Sequence, residues 1–471
     1  MSSTKETESP RKKKSGKRRP DLDTVYSINT DGSRNFLHPA DVKGRWQVRL
    51  DVVWAVLILI YVGVPWIQIG GHPAIHIDLP NRAAHLFGHG FSNQDFYLVF
   101  FLLTGFGFGL FYVTAVLGRV WCGFACPQTV FMEGIVRRIE RWIEGPRNTR
   151  IRRNQGPATF DKAWRKGLKH LLFLVVSYVI AHAFLSYFIP VRELLQVITS
   201  PPAEHASAFA VTMFFTGLMY FDYAWFREQT CLIVCPYGRI QSALVDHDTV
   251  VIGYDENRGE PRAHGVDEGG DCIDCFRCVE VCPTGIDIRN GLQMECLGCT
   301  RCIDACDDIM RRIDLPEGLI RYDSQRSFDG EGKTRFLRGR VWLYTVLGLI
   351  GLTVAAFSFA GREPIDVTVL RPAGMPYTIE EGRFRNLYNL RIQNKGSEPV
   401  TLLVRAVESA VPVEWVIPQS ELEFEGMEDQ QIVMFAFVDR SDYTGRFPLV
   451  IEVENPETGL VHPVELTFRG P

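Results

Sequence analysis

The chain has 471 residues, of which 46% are hydrophobic and 23% are charged, and its formal net charge at pH 7 is −4. The net charge is small, so the distribution of charged residues among the segments is more informative than their sum. The sequence contains neither a G-x-G-x-x-G turn nor a G-x-x-x-x-G-K-[ST] loop, so we expect neither hydride transfer from a nicotinamide nor nucleotide hydrolysis.

The chain begins with a basic arm, residues 1–47, that carries the run RKKKSGKRR at 11–19. Such a run can bind nucleic acid. Because it precedes an apolar segment, we expect instead a cytoplasmic tail that sets membrane topology and is attracted to anionic lipid. The first 45 residues contain no apolar core segment, so no cleavable signal peptide is expected.

Five apolar segments are long enough to cross about 30 Å of hydrocarbon: 50–69, 96–116, 168–189, 208–226 and 341–360. The connections at 70–95 and 190–205 carry one arginine each, whereas 117–167 is rich in arginine and lysine. The positive-inside rule then places the N-terminus and the basic connection in the cytoplasm and everything after the fifth segment in the periplasm. We therefore expect a multi-pass protein of the bacterial inner membrane.

Histidines crowd the first outer connection at positions His72, His76, His85 and His89. Metal or haem binding there needs imidazoles that converge, and Pro73 argues against a regular helix that would pair them. Interfacial hydrogen bonding is the alternative. In the fourth segment, Asp222 is a candidate for proton or ion handling or for an ion pair with Arg227.

Two C-x3-C-P motifs follow the second and fourth apolar segments, as WCGFACPQ at 121–128 and TCLIVCPY at 230–237. A helix pair followed by this motif occurs twice, which is typical of a parallel internal repeat. If the halves pack about one axis, four thiols meet beneath the bundle: Cys122, Cys126, Cys231 and Cys235. Soft thiolates select copper(I) or iron–sulfur clusters, so copper, a third cluster and inert buried pairs all stay open. The four are tentative metal ligands and a tentative acceptor site.

Eight further cysteines lie in two similar runs, CIDCFRCVEVCP at 272–283 and CLGCTRCIDACD at 296–307. This is C-x2-C-x2-C-x3-C written twice, the spacing that binds two [4Fe–4S] clusters, with the fourth cysteine of each run crossing to the other cluster. The predicted ligands of one cluster are Cys272, Cys275, Cys278 and Cys306, and those of the other are Cys296, Cys299, Cys302 and Cys282. Structural zinc is the alternative, but a zinc site does not need the third and fourth cysteines in duplicate.

After residue 360 the chain contains no cysteine, and short segments alternate apolar and polar residues between turns. This pattern predicts an antiparallel immunoglobulin-like sandwich that serves for docking or stabilisation. All twelve cysteines lie on the side assigned to the cytoplasm, where thiols stay reduced.

The predicted fold is a multi-domain membrane protein with a five-helix transmembrane bundle, a cytoplasmic 2[4Fe–4S] ferredoxin-like insert and a C-terminal immunoglobulin-like β-sandwich. The predicted divisions are the arm, four helices as two repeats, the insert, the fifth helix and the sandwich, at 1–47, 48–226, 227–339, 340–360 and 361–471.

The combination of motifs resembles the FixG/CcoG family, accessory proteins for cbb-type cytochrome c oxidases. The resemblance rests on TDGSRNFLHPADVKGRW at 30–46, the two C-x3-C-P motifs, the double ferredoxin run ending CIDACDDIM, one more helix and the sandwich. Asp307 stands where an ordinary ferredoxin has proline. The resemblance implies reduction of copper(II) to copper(I) for the oxidase copper centre, with the oxidase or its assembly factors as partners.

Three functions fit these predictions. The first is a membrane-bound metal-ion reductase, with the clusters passing electrons to an acceptor site. The second is an electron-transfer subunit that feeds a partner, as in quinol-dehydrogenase-like proteins. The third is an assembly scaffold in which the clusters only stabilise the fold. In the first two, the electron donor is a protein or a quinol.

Overall fold

The computed structural model describes residues 34–69, 71–80, 83–91, 95–262, 269–362, 364–370, 377–380, 382–396, 398–426 and 428–471. The basic run at 11–19 lies outside them. The chain divides into two compact units, and the division falls inside each of the five long helices. The first unit takes its described residues from Met1–Ile58, Gly109–Ser177 and Gly217–Thr345, and the second from Leu59–Phe108, Tyr178–Thr216 and Val346–Pro471.

The α-helices in chain order are α1 (Arg45–Gly63), α2 (Phe96–Leu117), α3 (Val120–Phe124), α4 (Pro127–Phe131), α5 (Arg137–Glu144), α6 (Arg147–Gln155), α7 (Phe160–Leu185), α8 (Val191–Thr199), α9 (Ala206–Phe221), α10 (Pro236–Leu244), α11 (Glu256–Gly259), α12 (Arg277–Glu280), α13 (Arg301–Arg312), α14 (Gln325–Phe328) and α15 (Gly339–Ala360). Three π-helical segments lie between them, at Met132–Val136, Asp222–Phe226 and Thr230–Val234.

Four helices within the described ranges are long and apolar enough to cross a membrane: α1, α2, α7 and α15. They coincide with the first, second, third and fifth predicted spans. Many of their side chains, such as Leu59, Leu103 and Phe357, are apolar and exposed, which contact with lipid explains. The fourth predicted span corresponds to α9, whose 16 residues run directly into the π-helical segment Asp222–Phe226. That the fourth predicted span crosses the membrane stays a prediction.

Both C-x3-C-P motifs end with the same local geometry. Cys126 and Cys235 have extended backbone angles, and α4 and α10 begin at the following proline, Pro127 and Pro236. Proline suits the first position of a helix because its φ is already helical and no amide hydrogen is needed there. The Cys-Pro pair therefore sets the same turn in each motif.

The β-strands in chain order are β1 (Gln68–Ile69), β2 (His72–Pro73), β3 (Ile75–Asp78), β4 (Ala83–Leu86), β5 (His89–Phe91), β6 (Val250–Tyr254), β7 (Ile320–Ser324), β8 (Ile365–Leu370), β9 (Thr378–Glu380), β10 (Arg383–Asn394), β11 (Val400–Ala406), β12 (Glu414–Val416), β13 (Glu421–Phe424), β14 (Asp429–Asp439), β15 (Phe447–Asn455) and β16 (Leu460–Phe468). Strands β3, β4 and β5 form a small antiparallel sheet between α1 and α2.

The ferredoxin-like insert is built on the antiparallel pair β6 and β7, with helix α13 packed against it. Its core contains Ile252, Ile303, Met310 and Ile320, all buried. This core is small, and five of the eight cysteines of the two runs lie among its apolar side chains: Cys272, Cys278, Cys296, Cys302 and Cys306.

The described part of the predicted arm also packs against the insert. The amide of Ala40 donates to the carbonyl of Glu280 at 2.8 Å, and its side chain lies with Val281 and Ala305 in one buried cluster. Trp46 contacts the ring of Tyr322 edge to face, with the centroids 5.5 Å apart. The residues from 34 onward therefore belong to the folded first unit.

The C-terminal segment is a sandwich of two antiparallel sheets, as predicted. One has the order β12-β14-β10-β8, with β9 also on β10, and the other has the order β13-β11-β15-β16. Buried and more exposed residues alternate along β10 and β14, which places one face of each strand in the core. Leu390, Leu402, Met434 and Ile451 fill that core.

Candidate metal centre

Each cysteine set predicted for one cluster lines its own cavity. The first cavity is lined by Cys272, Cys275, Cys278 and Cys306. Mostly apolar side chains, among them that of Met310, complete its wall together with Arg277 and Arg289. The fourth cysteine of the second run thus reaches the cavity of the first run, as the crossing pattern of two-cluster ferredoxins requires.

The second cavity is lined by Cys282, Cys296, Cys299 and Cys302, and Cys278 also reaches it. The two cavities therefore share a wall at Cys278 and are adjacent, which suits electron transfer between two clusters.

Both cysteine runs take the same unusual backbone path. Phe276 and Thr300, each directly after the second cysteine of its run, have φ values of 59°. Asp274 and Gly298, each directly before that cysteine, have φ values of 51° and 67°. A bulky residue with positive φ is uncommon, and such strain typically persists where function requires a particular loop shape. Here it turns successive cysteines toward one cavity.

Burial makes these thiols hard to ionise on their own. It raises the pKa of Cys296 to about 11 and the pKa values of Cys299 and Cys306 to about 12. Thiolates in such cavities therefore need a positively charged partner. The irons of a [4Fe–4S] cluster meet that need, so the residues present fit this cofactor.

A buried arginine supports the loop of the first run. The guanidinium of Arg289 donates to Asp274 and Asp287, at 2.6 Å each, and its carbon lies 4.3 Å from the ring centroid of Phe276. The motif alone did not point to Arg289, because it lies outside both cysteine runs.

The four C-x3-C-P cysteines form a second thiol site in the first unit. Cys122 lies on α3 and Cys231 on a π-helical segment, while Cys126 and Cys235 immediately precede α4 and α10. Burial raises the pKa of Cys122 to about 11, and the neighbouring charges of Cys126 and Cys235 add to this rise. Burial likewise raises the pKa of Cys231, with contributions from the other three cysteines. A hydrogen bond from Gln241 of α10 to Cys122 of α3 shows that the segments of the two motifs lie side by side. A shared metal site of the four thiols stays a prediction.

A buried glutamine holds one of these thiols. The side-chain amide of Gln241 donates to Sγ of Cys122 at 3.2 Å, and this hydrogen bond opposes the rise in the pKa of Cys122. Within the part of the chain that the structure describes, no three His, Cys, Asp or Glu side chains form a site for a single metal ion.

The thiol site adjoins the second cluster cavity through a backbone contact. A Cβ atom on Gly123 would lie 2.5 Å from the carbonyl oxygen of Gly298 and 3.0 Å from Cα of Cys299. Arg119, at the start of α3, donates to the carbonyl of Cys296 at 3.2 Å and to that of Gly238 at 3.0 Å. Neither Gly123 nor Arg119 was singled out from the sequence, since only the fold brings the two motifs to the cluster loop.

Three of the four histidines in the connection between α1 and α2 stack on one another. The ring centroids of His72 and His85 are 4.1 Å apart with planes 5° apart, and those of His76 and His85 are 5.7 Å apart with planes 8° apart. Ring nitrogens bind metals in the plane of the ring, so parallel faces do not suit one ion. His76 Nε2 lies 3.2 Å from the carbonyl oxygen of Phe188, in keeping with the hydrogen-bonding alternative.

Asp222 and Arg227 are tied to different side chains. The hydroxyl of Thr230 donates to Asp222, whereas the guanidinium of Arg227 donates to Glu140 at 2.6 Å. Arg227 belongs to a buried network of ion pairs that the sequence did not indicate, and the network consists of two groups. The group of Arg227 also contains Glu140, Glu144, Arg150 and Lys169. The other group contains Arg34, Glu133, Arg137, Glu228 and Arg301.

Comparison with known families identifies the domains. Residues 226–325 match a 4Fe-4S dicluster domain, and residues 98–147 match a 4Fe-4S binding domain. Residues 355–471 match the IG-like fold at the C-terminal of FixG. The first match contains all eight ferredoxin cysteines, and the second contains Cys122 and Cys126.

Among solved structures, the chain is similar to a FixG-related protein from Vibrio parahaemolyticus, with a TM-score of 0.21 and 16% identity over 23% of this chain and 97% of that one. It is also similar to the N-terminal domain of PorA, with a TM-score of 0.18 and 12% identity over 22% of this chain and 96% of that one.

Two curated relatives cover most of the chain. Protein RdxA of Cereibacter sphaeroides is 38% identical over 388 residues, which are 78% of this chain and 81% of RdxA. The nitrogen fixation protein FixG of Rhizobium meliloti is 33% identical over 444 residues, which are 82% of each chain. With these matches and the cysteine-lined cavities, the chain belongs to the FixG family and is an iron–sulfur electron-transfer protein.

Proposed function

We propose that this protein is a membrane-bound reductase that converts copper(II) to copper(I) for the assembly of a cbb-type cytochrome c oxidase. The observation that carries the proposal is the backbone contact of Gly123 with Gly298 and Cys299. This contact places a C-x3-C-P motif next to a cluster loop. The metal and the oxidase follow from the family resemblance, and the route for electrons follows from the residues.

The eight ferredoxin cysteines bind two [4Fe–4S] clusters in this proposal, divided as the two cavities divide them. Clusters bound there supply one-electron transfer. The protein contributes buried, mostly apolar walls and the strained loops at Phe276 and Thr300 that aim the thiols. One electron per copper ion suffices, because copper(II) gains one electron to become copper(I).

The acceptor site in this proposal is the set Cys122, Cys126, Cys231 and Cys235. Burial keeps the Cys122 thiol neutral at pH 7, since the pKa of Cys122 is raised to about 11. A soft ion that binds these sulfurs displaces their protons, and soft sulfur ligands favour copper(I) over harder ions. Gln241 fixes the position of one sulfur and can donate to its thiolate.

The proposal places the N-terminus and both thiol sites in the cytoplasm and the sandwich in the periplasm, following the division of charge among the connections. The sandwich then offers a contact for the oxidase or its assembly factors. A donor protein or a quinol supplies the electrons.

The test is a single-turnover reaction of purified protein in detergent. Anaerobically reduced protein receives stoichiometric copper(II), and a chromogenic chelator traps copper(I). We expect the wild type to be reoxidised, and we expect serine at all four C-x3-C-P cysteines to abolish the reaction while iron content is unchanged. Copper reduction at the wild-type rate by that variant would place the acceptor elsewhere.

A second candidate function is a relay to a partner through a third cluster at the C-x3-C-P cysteines. The match of residues 98–147 to a 4Fe-4S binding domain favours it, because that segment contains Cys122 and Cys126. Iron analysis separates the two: two clusters give about eight irons per chain and three give about twelve. A relay is also inert toward free copper(II) in the absence of its partner.

A further inference from the structure

A large polar cavity in the first unit lies apart from both thiol sites. Its volume is about 490 Å³, and its lining includes Arg34, Asn154, Lys166, Lys169 and Arg227 with one carboxylate, that of Glu140. These residues come from the segment before α1, from helices α5, α6 and α7 and from the residue that follows the π-helical segment Asp222–Phe226. None of them has a role in the proposed copper chemistry.

The ion-pair network beside this cavity carries more positive than negative groups. Six cations, those of Arg34, Arg137, Arg150, Lys169, Arg227 and Arg301, are linked to the four carboxylates of Glu133, Glu140, Glu144 and Glu228. Lys166 adds a further positive group at the wall. Other carboxylates act on this network, Asp222 on Arg34 and Asp41 on Arg150. The cavity wall itself, however, has four cationic side chains, those of Arg34, Lys166, Lys169 and Arg227, and the single carboxylate of Glu140. Buried charges are costly unless they are paired, so this wall favours an anion.

The two arginines in the wall also have unused hydrogen-bond donors. The side chains of Arg34 and Arg227 are only 2% and 3% exposed, yet Nε and Nη1 of each have no hydrogen-bond partner among the described residues. The ring centroid of Phe36 lies 5.4 Å and 5.3 Å from the central carbons of the two guanidinium groups. Both arginines therefore keep unsatisfied donors beside an aromatic ring.

These features together describe a site for a small anion with several acceptor oxygens. Guanidinium groups bind phosphate through two parallel N–H···O bonds, and the two arginines offer four unsatisfied donors.

The surroundings of the cavity indicate where the phosphate comes from. Lys166 and Lys169 lie near the start of α7, a helix long and apolar enough to cross a membrane. On the neighbouring surface, Trp142 and Trp164 are 79% and 62% exposed, and exposed tryptophans are typical of the headgroup level of a bilayer. Basic pockets between membrane helices bind lipid headgroups in this way.

We propose that this cavity binds the phosphate group of an anionic phospholipid, with Arg34, Arg227 and Lys166 as its ligands. The lipid neutralises the excess positive charge of the cavity wall and anchors α7 to the segments packed around its first turns. The inference is independent of copper reduction and stands if that proposal fails.

The test compares lipids on the full-length protein, purified in detergent and stripped of lipid. Phosphatidylglycerol should raise the melting temperature clearly more than phosphatidylcholine does. Lys166→Gln should lose at least half of the rise with phosphatidylglycerol, and Lys166→Arg should retain it. Arg152→Gln is the matched control, because Arg152 is an exposed residue of α6 outside the cavity lining, and it should behave as wild type.

Native mass spectrometry gives a second measurement that does not depend on the stability of a variant. Wild-type protein released from membranes should retain an anionic phospholipid, and the Lys166→Gln variant should retain less. Equal stabilisation by phosphatidylcholine, or a full rise in Lys166→Gln, would overturn the proposal. A rise fully reproduced by inorganic phosphate would assign the cavity to a free anion and overturn the lipid source.

Discussion

Gly123 shows how one missing side chain joins the two cysteine sites. The residue follows Cys122, and its backbone lies against Gly298 and Cys299 so closely that a Cβ atom would be 2.5 Å from the Gly298 carbonyl oxygen. On the other side, Trp54 Nε1 donates to the Gly123 carbonyl at 3.3 Å. Any larger residue must push the cluster loop away from α3.

We expect Gly123→Ala to slow the reoxidation of reduced protein by copper(II) by about tenfold or more, because a displacement of about 1 Å at a reacting site can cost that much. Both sites keep their cysteines, so the iron content should stay near the wild-type value. Stopped-flow bleaching of the cluster absorbance measures the rate.

Gly134→Ala is the control for this variant. Gly134 lies in the π-helical segment after α4, and a Cβ there would meet only Trp54 and Ile58 at ordinary contact distances of 3.6 Å or more. Equal rates in the two variants would show that the contact between α3 and the cluster loop does not carry the electrons.

At the scale of residues, the sequence predicts which cysteines line which cavity, but it does not predict the backbone conformations and side chains that position them. Spacing alone assigns each ferredoxin cysteine to a cavity, because the crossing pattern is a property of the motif. It does not predict the left-handed backbone at Phe276 and Thr300, since these residue types do not favour positive φ. It also does not predict Gln241 or Arg119, which reach the thiol sites only through tertiary packing.

Among the elements, the clearest difference between prediction and structure lies at the end of α9. The apolar segment extends to residue 226, but the α-helix ends at Phe221 and a π-helical segment follows. The amide of Arg227 donates to the carbonyl of Asp222, five residues back, at 2.7 Å. Hydropathy does not detect this change, because it depends on contacts such as that of Arg227 with Glu140.

Helix α5 carries the most connected carboxylate of the buried network. Glu140 is 1% exposed and accepts from Arg227 at 2.6 Å and from Arg150 at 3.4 Å. Although burial opposes ionisation, Arg227 and Lys169 hold the pKa of Glu140 at about 2. The basic connection at 117–167, read from the sequence as a topological signal, is therefore also part of a folded ionic core.

We expect Glu140→Gln to lower the free energy of unfolding by about 3–5 kcal/mol at pH 7, since it leaves buried arginines without their partner. The folded-state pKa lies below the ordinary value of 4.5, so the ionised carboxylate stabilises the fold above pH 4.5. That contribution is lost as the pH falls toward 2.

Thermal melts of wild type and Glu140→Gln at several pH values measure this difference. The difference in stability between the two proteins should be constant between pH 7 and pH 5 and should become smaller below about pH 4.5. Glu317→Gln is a suitable control, because Glu317 pairs with Arg311 at the surface and such pairs contribute little. A difference that is absent at pH 7 would contradict the role given to the network.

For the molecule as a whole, the cysteines are confined to one of the two units. All twelve lie in the first unit, and the second unit contains the stacked histidines and the sandwich. The sequence predicts the cysteine-free sandwich, because a tail of alternating strands is a strong pattern, but it does not predict a division that falls inside each of the five long helices. It does not predict the polar cavity proposed to bind lipid, whose residues come from five separated segments.

The proposed topology predicts different labelling of the two units in cells. Positive residues concentrate in the arm and the 117–167 connection. By the positive-inside rule, the proposal keeps these segments in the cytoplasm and exports the sandwich after α15. Cysteines introduced at the exposed positions Ser441, in the sandwich, and Lys333, before α15, therefore report opposite sides. In intact spheroplasts an impermeant maleimide should label Ser441→Cys and leave Lys333→Cys at the wild-type background, and after lysis it should label both. Labelling of Lys333→Cys alone before lysis would reverse the topology, and it would also place the thiol sites in an oxidising compartment where free cysteines do not persist.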